Sequence, residues 1–234
     1  MSAVGVDLGL RIHPEKPRVG LRTARPDEAW HINTTVIRLL DGTKAYVHAV
    51  IDNFSRRILA FRVAKRFEIN NTIAVLVEAA REAVAADEEA DPPMLVVDGG
   101  VENFNGGVDE LVEKGVLRRV LALTELRFSN AMIEAFWRSL KHQWLYLNSL
   151  DSVAAVRRHV SFYVSAHNSE VPHSAFQGQT PDEIYLHTGE HVPGELKAAQ
   201  TKARRERLAT NREWTCAACP GARRRAAERP SAAA

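Results

Sequence analysis

Ser129-Asn130-Ala131-Met132-Ile133-Glu134-Ala135-Phe136-Trp137-Arg138-Ser139-Leu140-Lys141 is the stretch on which the reading of this chain turns. Its apolar residues recur at three- and four-residue steps, and Ser129 stands where a helix N-cap belongs. At roughly 100° per residue, Arg138 falls about 40° and Lys141 about 20° from Glu134 around such a helix. One face therefore carries a carboxylate with two cations beside it. Upstream, with thirty-five residues between it and Glu134, Asp98 closes the apolar run Met94-Leu95-Val96-Val97, which has the pattern of a buried strand. A strand-end carboxylate and a helix carboxylate that meet in space make a divalent-metal site, and a neighbouring cationic face suits a phosphate backbone. Each residue also has a plainer reading. Asp98 before Gly99-Gly100 fits a strand-ending turn, Glu134 is spaced to pair with Arg138 at i, i+4, and Lys141 fits a surface lysine.

Around this pair the chain alternates between two periods. Residues 30–38 read as a strand, Asp41-Gly42 as a hairpin turn, and 45–51 as a second strand. Asp52-Asn53-Phe54-Ser55 turns the chain again into a third strand over 58–63. Residues 70–86 carry a helical apolar stripe with Asn71 as a cap, and 87–93 form an acidic, Pro-containing loop. After the Met94 strand come a short helix over 108–114 stopped by Gly115, a strand over 116–123, and the Glu134 helix over 129–147. A last helix, capped by Asp151, ends near Asn168.

Several stretches together resemble the DDE transposase and retroviral-type integrase catalytic core, in particular that of bacterial insertion-sequence transposases. They are Trp30-His31-Ile32-Asn33-Thr34-Thr35, Val50-Ile51-Asp52-Asn53-Phe54-Ser55-Arg56-Arg57, Asp98-Gly99-Gly100-Val101-Glu102-Asn103-Phe104, Asn130-Ala131-Met132-Ile133-Glu134 and Thr180-Pro181-Asp182-Glu183. The resemblance runs from Pro26 to Leu186. It implies an α/β, ribonuclease H-like fold: a mixed five-stranded sheet flanked by helices, with the first and fourth strands adjacent. It implies three catalytic, metal-binding positions at Asn33, Asp98 and Glu134. In the family these are carboxylates holding two Mg²⁺ (or Mn²⁺) ions for in-line phosphoryl transfer. Lys141, with Arg138 near it, matches a basic position that contacts the DNA backbone. Implied partners are DNA, as element ends and target, and further copies of the chain, since strand transfer joins two ends. No membrane is implied.

Asn33 departs from the pattern, for the family's first catalytic Asp belongs there. An amide oxygen ligates a hard cation but brings no charge. Losing that charge in a partly desolvated site costs several kcal/mol, a rate loss of at least roughly a few hundredfold. Asp41 lies in the hairpin turn, too far along to substitute. Asp52 ends the second strand near the expected site, but the family is acidic there as well. The loop after Asp98 also departs, with Gly99 in place of Asn and one extra residue before Phe104, so Glu102 is assigned no metal. His31 reads as structural, and Phe136, Trp137, Leu140 and Trp144 read as core. Arg56 and Arg57 fit either phosphate contacts or a solvated strand end. The expected function is a transposase or integrase core for DNA integration and transposition by strand cleavage and transfer. The alternatives are a catalytically inactive DNA-binding or transposase-regulating fragment, and a general nuclease.

Composition sets the outer bounds. The chain has 234 residues, 45% hydrophobic and 26% charged, which is ordinary for a globular protein. No apolar run approaches the roughly 20 residues of a membrane span, and Met1–Leu10 lack the pattern of a signal peptide. A cytoplasmic, nucleoid-associated bacterial protein is expected. Ten of the 31 Lys/Arg and three of the 29 Asp/Glu lie in residues 197–234, leaving an excess of acid in the remainder. Three segments follow: a basic, Pro-containing arm or linker over 1–28, an integrase-type core over 29–190, and a basic, flexible tail over 191–234. Family members carry a helix-turn-helix region ahead of such a linker, so a fragment or a split-gene product is expected. Cys216 and Cys219 form half of a zinc-type ligand set at most, and an unligated pair is the default.

Overall fold

A computed structural model describes residues 21–86, 91–97, 106–121 and 131–213, which fall into two compact units divided between Val171 and Pro172. The first holds β1 (Ala29–Arg38), β2 (Lys44–Asp52), β3 (Ile58–Ala64), α1 (Ile69–Ala86), β4 (Met94–Val97), α2 (Gly106–Glu113), β5 (Arg118–Leu121), α3 (Ala131–Gln143) and α4 (Val153–Ser169). The strands form one sheet in the order β3-β2-β1-β4-β5. β1, β2 and β3 pair antiparallel; β4 and β5 run parallel to β1. This is the mixed five-stranded sheet that the sequence implies, with the first and fourth strands adjacent.

Alternation along the strands sorts the side chains onto two faces. Ile37, Ala45, Val47, Ala49 and Val63 pack with Ile133, Phe136, Trp137 and Leu140 of α3 and with Val156 and Val160 of α4. The opposite face carries Ile32, Val50 and Ala60, all buried, and α1 packs against β2 and β3 with Val75, Leu76 and Ala79 buried. The four aromatic and aliphatic residues expected in the core behave accordingly: Phe136, Trp137 and Leu140 are buried, and Trp144 is packed against them.

Local chemistry moves several boundaries. Gly42 adopts φ 84° in the β1–β2 turn, and Asp41 accepts hydrogen bonds there from Thr43 N and Oγ1 at 2.9 and 2.7 Å. α1 begins at Ile69, so Asn71 lies inside it rather than capping it. Asp151 is not the cap of α4 either. Ser152 is, its hydroxyl accepting from Ala155 N at 3.1 Å, while Asp151 accepts from the Ser149 hydroxyl. The Glu134 helix ends at Gln143, four residues early, and a 3₁₀ turn over Leu145–Leu147 follows it.

Residues 21–28 are tied to the sheet, although the sequence assigns them to an arm. Asn53 Oδ1 accepts from Thr23 N and Oγ1 at 3.3 and 3.0 Å, and Asp52 Oδ1 accepts from Asp27 N at 3.0 Å. The second unit contains a short helix α5 (Pro181–Tyr185), entered through a capping box between Thr180 and Glu183, and a long helix α6 (Val192–Glu213). α6 occupies residues expected to be flexible; their Ala, Arg, Glu, Lys and Leu content favours helix without any partner. No described helix is long and apolar enough to cross a membrane.

Candidate active site

β1 and α3 position the described part of the site. Asn33 is the fifth residue of β1 and pairs with Ala49. Paired residues share a sheet face, and Ala49 belongs to the cluster formed with α3. Asn33 therefore stands on the face that the Glu134 helix covers. Its exposure is intermediate, and its Oδ1 accepts the N–H of Thr34 at 2.6 Å. That bond engages one lone pair of an already neutral oxygen.

In α3 the buried stripe is Ile133, Phe136, Trp137 and Leu140. Glu134 and Arg138 are exposed, and Lys141 is half-buried. The stripe turns one side of the helix to the sheet and leaves Glu134 on its flank. Among the described residues, Glu134 and Arg138 form no ion pair, so the i, i+4 pairing that competes with a metal role is not made. Burial lowers the pKa of the Lys141 ammonium.

Asp98, with Gly99, Gly100, Val101, Glu102, Asn103 and Phe104, lies outside the described residues, as do Ser129, Asn130, Cys216 and Cys219. Among the described residues no three His, Cys, Asp or Glu side chains gather as a metal site. The donor set at hand is an amide oxygen and one exposed carboxylate. Oxygen donors of this kind suit a hard cation such as Mg²⁺, with one charge fewer than a full carboxylate set.

Asp52 is not the missing carboxylate. It pairs with Trp30, three positions before Asn33, hence about 10 Å along the strand. It is fully buried, and Oδ2 accepts from Ser55 N and Oγ at 2.7 and 2.6 Å. Burial pushes its pKa up to about 6 despite those bonds. Its work is to hold the turn. His31 is structural as expected, its Nε2 accepting from Asn53 Nδ2 at 2.7 Å. Arg57 donates to Glu82 of α1 through two bonds, at 3.1 and 3.0 Å, an ion pair that neither of its sequence readings anticipated. The Thr34–His48 bond, 2.8 Å from Oγ1 to Nδ1, had no signal in the sequence, because strand register alone brings the two together.

Two family models, both described as an integrase core domain, match residues 23–116 and 127–181, together well over half of the chain. The chain belongs to the integrase core family. This core is 22% identical over 162 residues to a protein named as transposase InsK of insertion sequence element IS150 from Escherichia coli K12. That alignment takes in 69% of the chain and 56% of the relative, so the integrase core described here spans about half the relative's length. Among solved structures, a chain of the simian T-cell lymphotropic virus intasome in complex with PP2A regulatory subunit B56 gamma superimposes with TM-score 0.55 at 17% identity, over 70% of this chain and 56% of that one. The HTLV-2 integrase catalytic core domain in complex with magnesium, in a dimeric form, gives 0.50 at 16% identity, over 69% of this chain and 97% of that one. The fold of this integrase core is thus the ribonuclease H-like fold of retroviral integrase cores.

Proposed function

We propose that this chain is the catalytic core of a DNA transposase, built for metal-dependent strand cleavage and strand transfer, with residue 33, Asp98 and Glu134 as the ligand positions. The observation that carries the reading is the place of Asn33, on β1 and on the sheet face packed by the Glu134 helix. The β1–β4 ladder adds support. Its pairs run from Ala29 with Met94 to His31 with Val96, a constant offset of 65, and the same offset separates positions 33 and 98.

Mg²⁺ or Mn²⁺ bound there would supply an activated water or 3′-hydroxyl and charge neutralisation at the leaving oxygen. Glu134 would hold the ion from the helix, Asp98 from the end of β4, and Asn33 through a neutral oxygen partly spent on Thr34 N–H. Lys141 and Arg138 flank Glu134 and would hold the DNA phosphates beside it. Strand transfer joins two ends, so the working form is an oligomer on element-end and target DNA.

The test is nicking of labelled element-end and random duplexes with Mg²⁺ or Mn²⁺ by the parent, Asn33→Asp, and Asn33→Asp/Glu134→Gln. The expected order is a gain of at least roughly a few hundredfold for Asn33→Asp, abolished in the double variant. A parallel Mg²⁺ titration of Tm should stabilise Asn33→Asp more than the parent, since a ligand bound only by the native state stabilises it. Neither gain appearing in a folded Asn33→Asp protein would overturn the metal-site assignment. Asn33 itself favours the second reading, an inactive DNA-binding partner. That reading predicts DNA binding without nicking in the parent.

A further inference from the structure

We infer that the outer face of the β1–β2–β3 meander, at its hairpin end, is a second DNA surface that takes an unpaired strand. Register builds this face. Arg38 pairs with Lys44, Val36 with Tyr46, and Thr34 with His48; Tyr46 pairs in turn with Ala64, and His48 with Arg62. All of these lie on the sheet face opposite the one packed by α3. Toward Val50 and Ala60 that face is buried; toward the hairpin it is open. Arg38, Lys44 and Arg62 are exposed there, as are Lys65 and Arg66 just beyond β3. Val36 is 43% and Phe67 41% exposed.

The charges are arranged as binding would require rather than as folding would. Arg38 and Lys44 are like charges directly opposite on paired strands, an arrangement that destabilises a sheet. Among the described residues none of these five cations has an ion-pair partner. Carboxylates are present too: Asp41 and Asp151 line the same cavity, bonded to Thr43 and Ser149, and exposed Glu68 follows Phe67, so the five cations outnumber the acids beside them. An apolar, aromatic floor lies between the cations. Phe67 lies 5.9 Å from the Tyr46 ring and is stacked 6.0 Å from that of His48. A cavity of about 870 Å³ opens beside it, lined in part by Lys44, Tyr46, Lys65, Arg66 and Phe67. Cations that track a backbone around exposed ring faces are the chemistry of single-strand binding. A duplex offers its phosphates but not its base faces, so the exposed Phe67 ring, backed by half-buried Tyr46 and buried His48, favours an unpaired strand. The proposal rests on the transposase reading only in choosing DNA over RNA.

The test is anisotropy of a fluorescein-labelled oligo(dT) 20-mer with the full chain in EDTA, so that failure of the metal site cannot affect it. Lys44→Glu/Arg62→Glu and Phe67→Leu are compared with Glu113→Gln, an exposed position on α2 away from both surfaces. The charge-reversal pair should weaken binding by at least roughly tenfold and flatten the log–log salt slope by about 1.4, or 0.7 for each phosphate no longer neutralised. Phe67→Leu should weaken binding with the slope unchanged, and Glu113→Gln should do neither. Because Lys44→Glu turns a repulsive cross-strand pair into an attractive one, the Tm of the charge-reversal variant should hold or rise while binding falls. Unchanged affinity and slope in that variant would overturn the proposal. Equal competition by duplex would overturn the unpaired-strand assignment, and tighter binding of oligo(rU) would overturn the choice of DNA.

Discussion

Two buried titrating residues pull the stability of this fold in opposite directions. Burial, with a smaller push from Arg62, lowers His48 to a pKa of about 4 from an ordinary 6.5. The unfolded chain therefore binds that proton first, so His48 contributes stability above pH 6.5 that is lost as pH falls through 4. Asp52 is raised to about 6 from 3.8, so the folded state holds its proton longer. Its contribution is full below 3.8 and lost as pH rises through 6. Each is worth about 3 kcal/mol at 1.36 kcal/mol per pH unit, and the two windows overlap. The parent should show a nearly flat Tm between pH 4 and 6. His48→Gln should lose stability as pH rises across that range, and Asp52→Asn should gain it. Flat profiles in both variants would show that neither group is shifted. Asn33 belongs to the same scale: its identity was plain in the sequence, while the Thr34 N–H on its oxygen needed the backbone geometry.

At the scale of elements, β3 is an edge strand that a helix side chain closes off. Asn168 of α4 accepts from Ile58 N at 3.0 Å and donates to Ile58 O at 2.9 Å, taking both backbone groups of one strand residue. Asn168→Ala should leave two buried groups without partners and cost about 2 kcal/mol, measurable as a lower midpoint in urea. A loss below a few tenths would mean that water replaces the amide at no cost. This contact joins residues 110 positions apart, which no local pattern could anticipate. Element order and type were legible because each segment keeps one hydrophobic period, from the strand of Trp30 to the stripe of Ile133 and Leu140. Caps were less so. Ser152 and Asp151 both suit an N-cap, and only backbone geometry selects between them.

The whole molecule separates charge along its length, acidic through the first 196 residues and basic beyond. Within the second unit, Lys197, Lys202 and Arg205 line one side of α6 in full exposure. Lys202→Glu/Arg205→Glu should lower affinity for random duplex DNA and reduce the salt slope by about 1.8, or 0.9 for each phosphate no longer neutralised, without moving Tm. An unchanged slope would assign these cations to solubility alone. The sequence carried the sign of this segment but not its helix, since a helix exposed on every side has no hydrophobic period to reveal it. For the site, the family was legible, and the sheet face that unites Asn33 with the Glu134 helix came from register.

The bonds from Thr23 to Asn53 alter how far anything upstream can travel. A module joined ahead of this core would meet the sheet at Leu21, half-buried against Ala29 and Val96, rather than at the start of β1. Cutting the Thr23–Asn53 anchor would move that junction back toward β1 and widen the volume open to anything joined ahead of it.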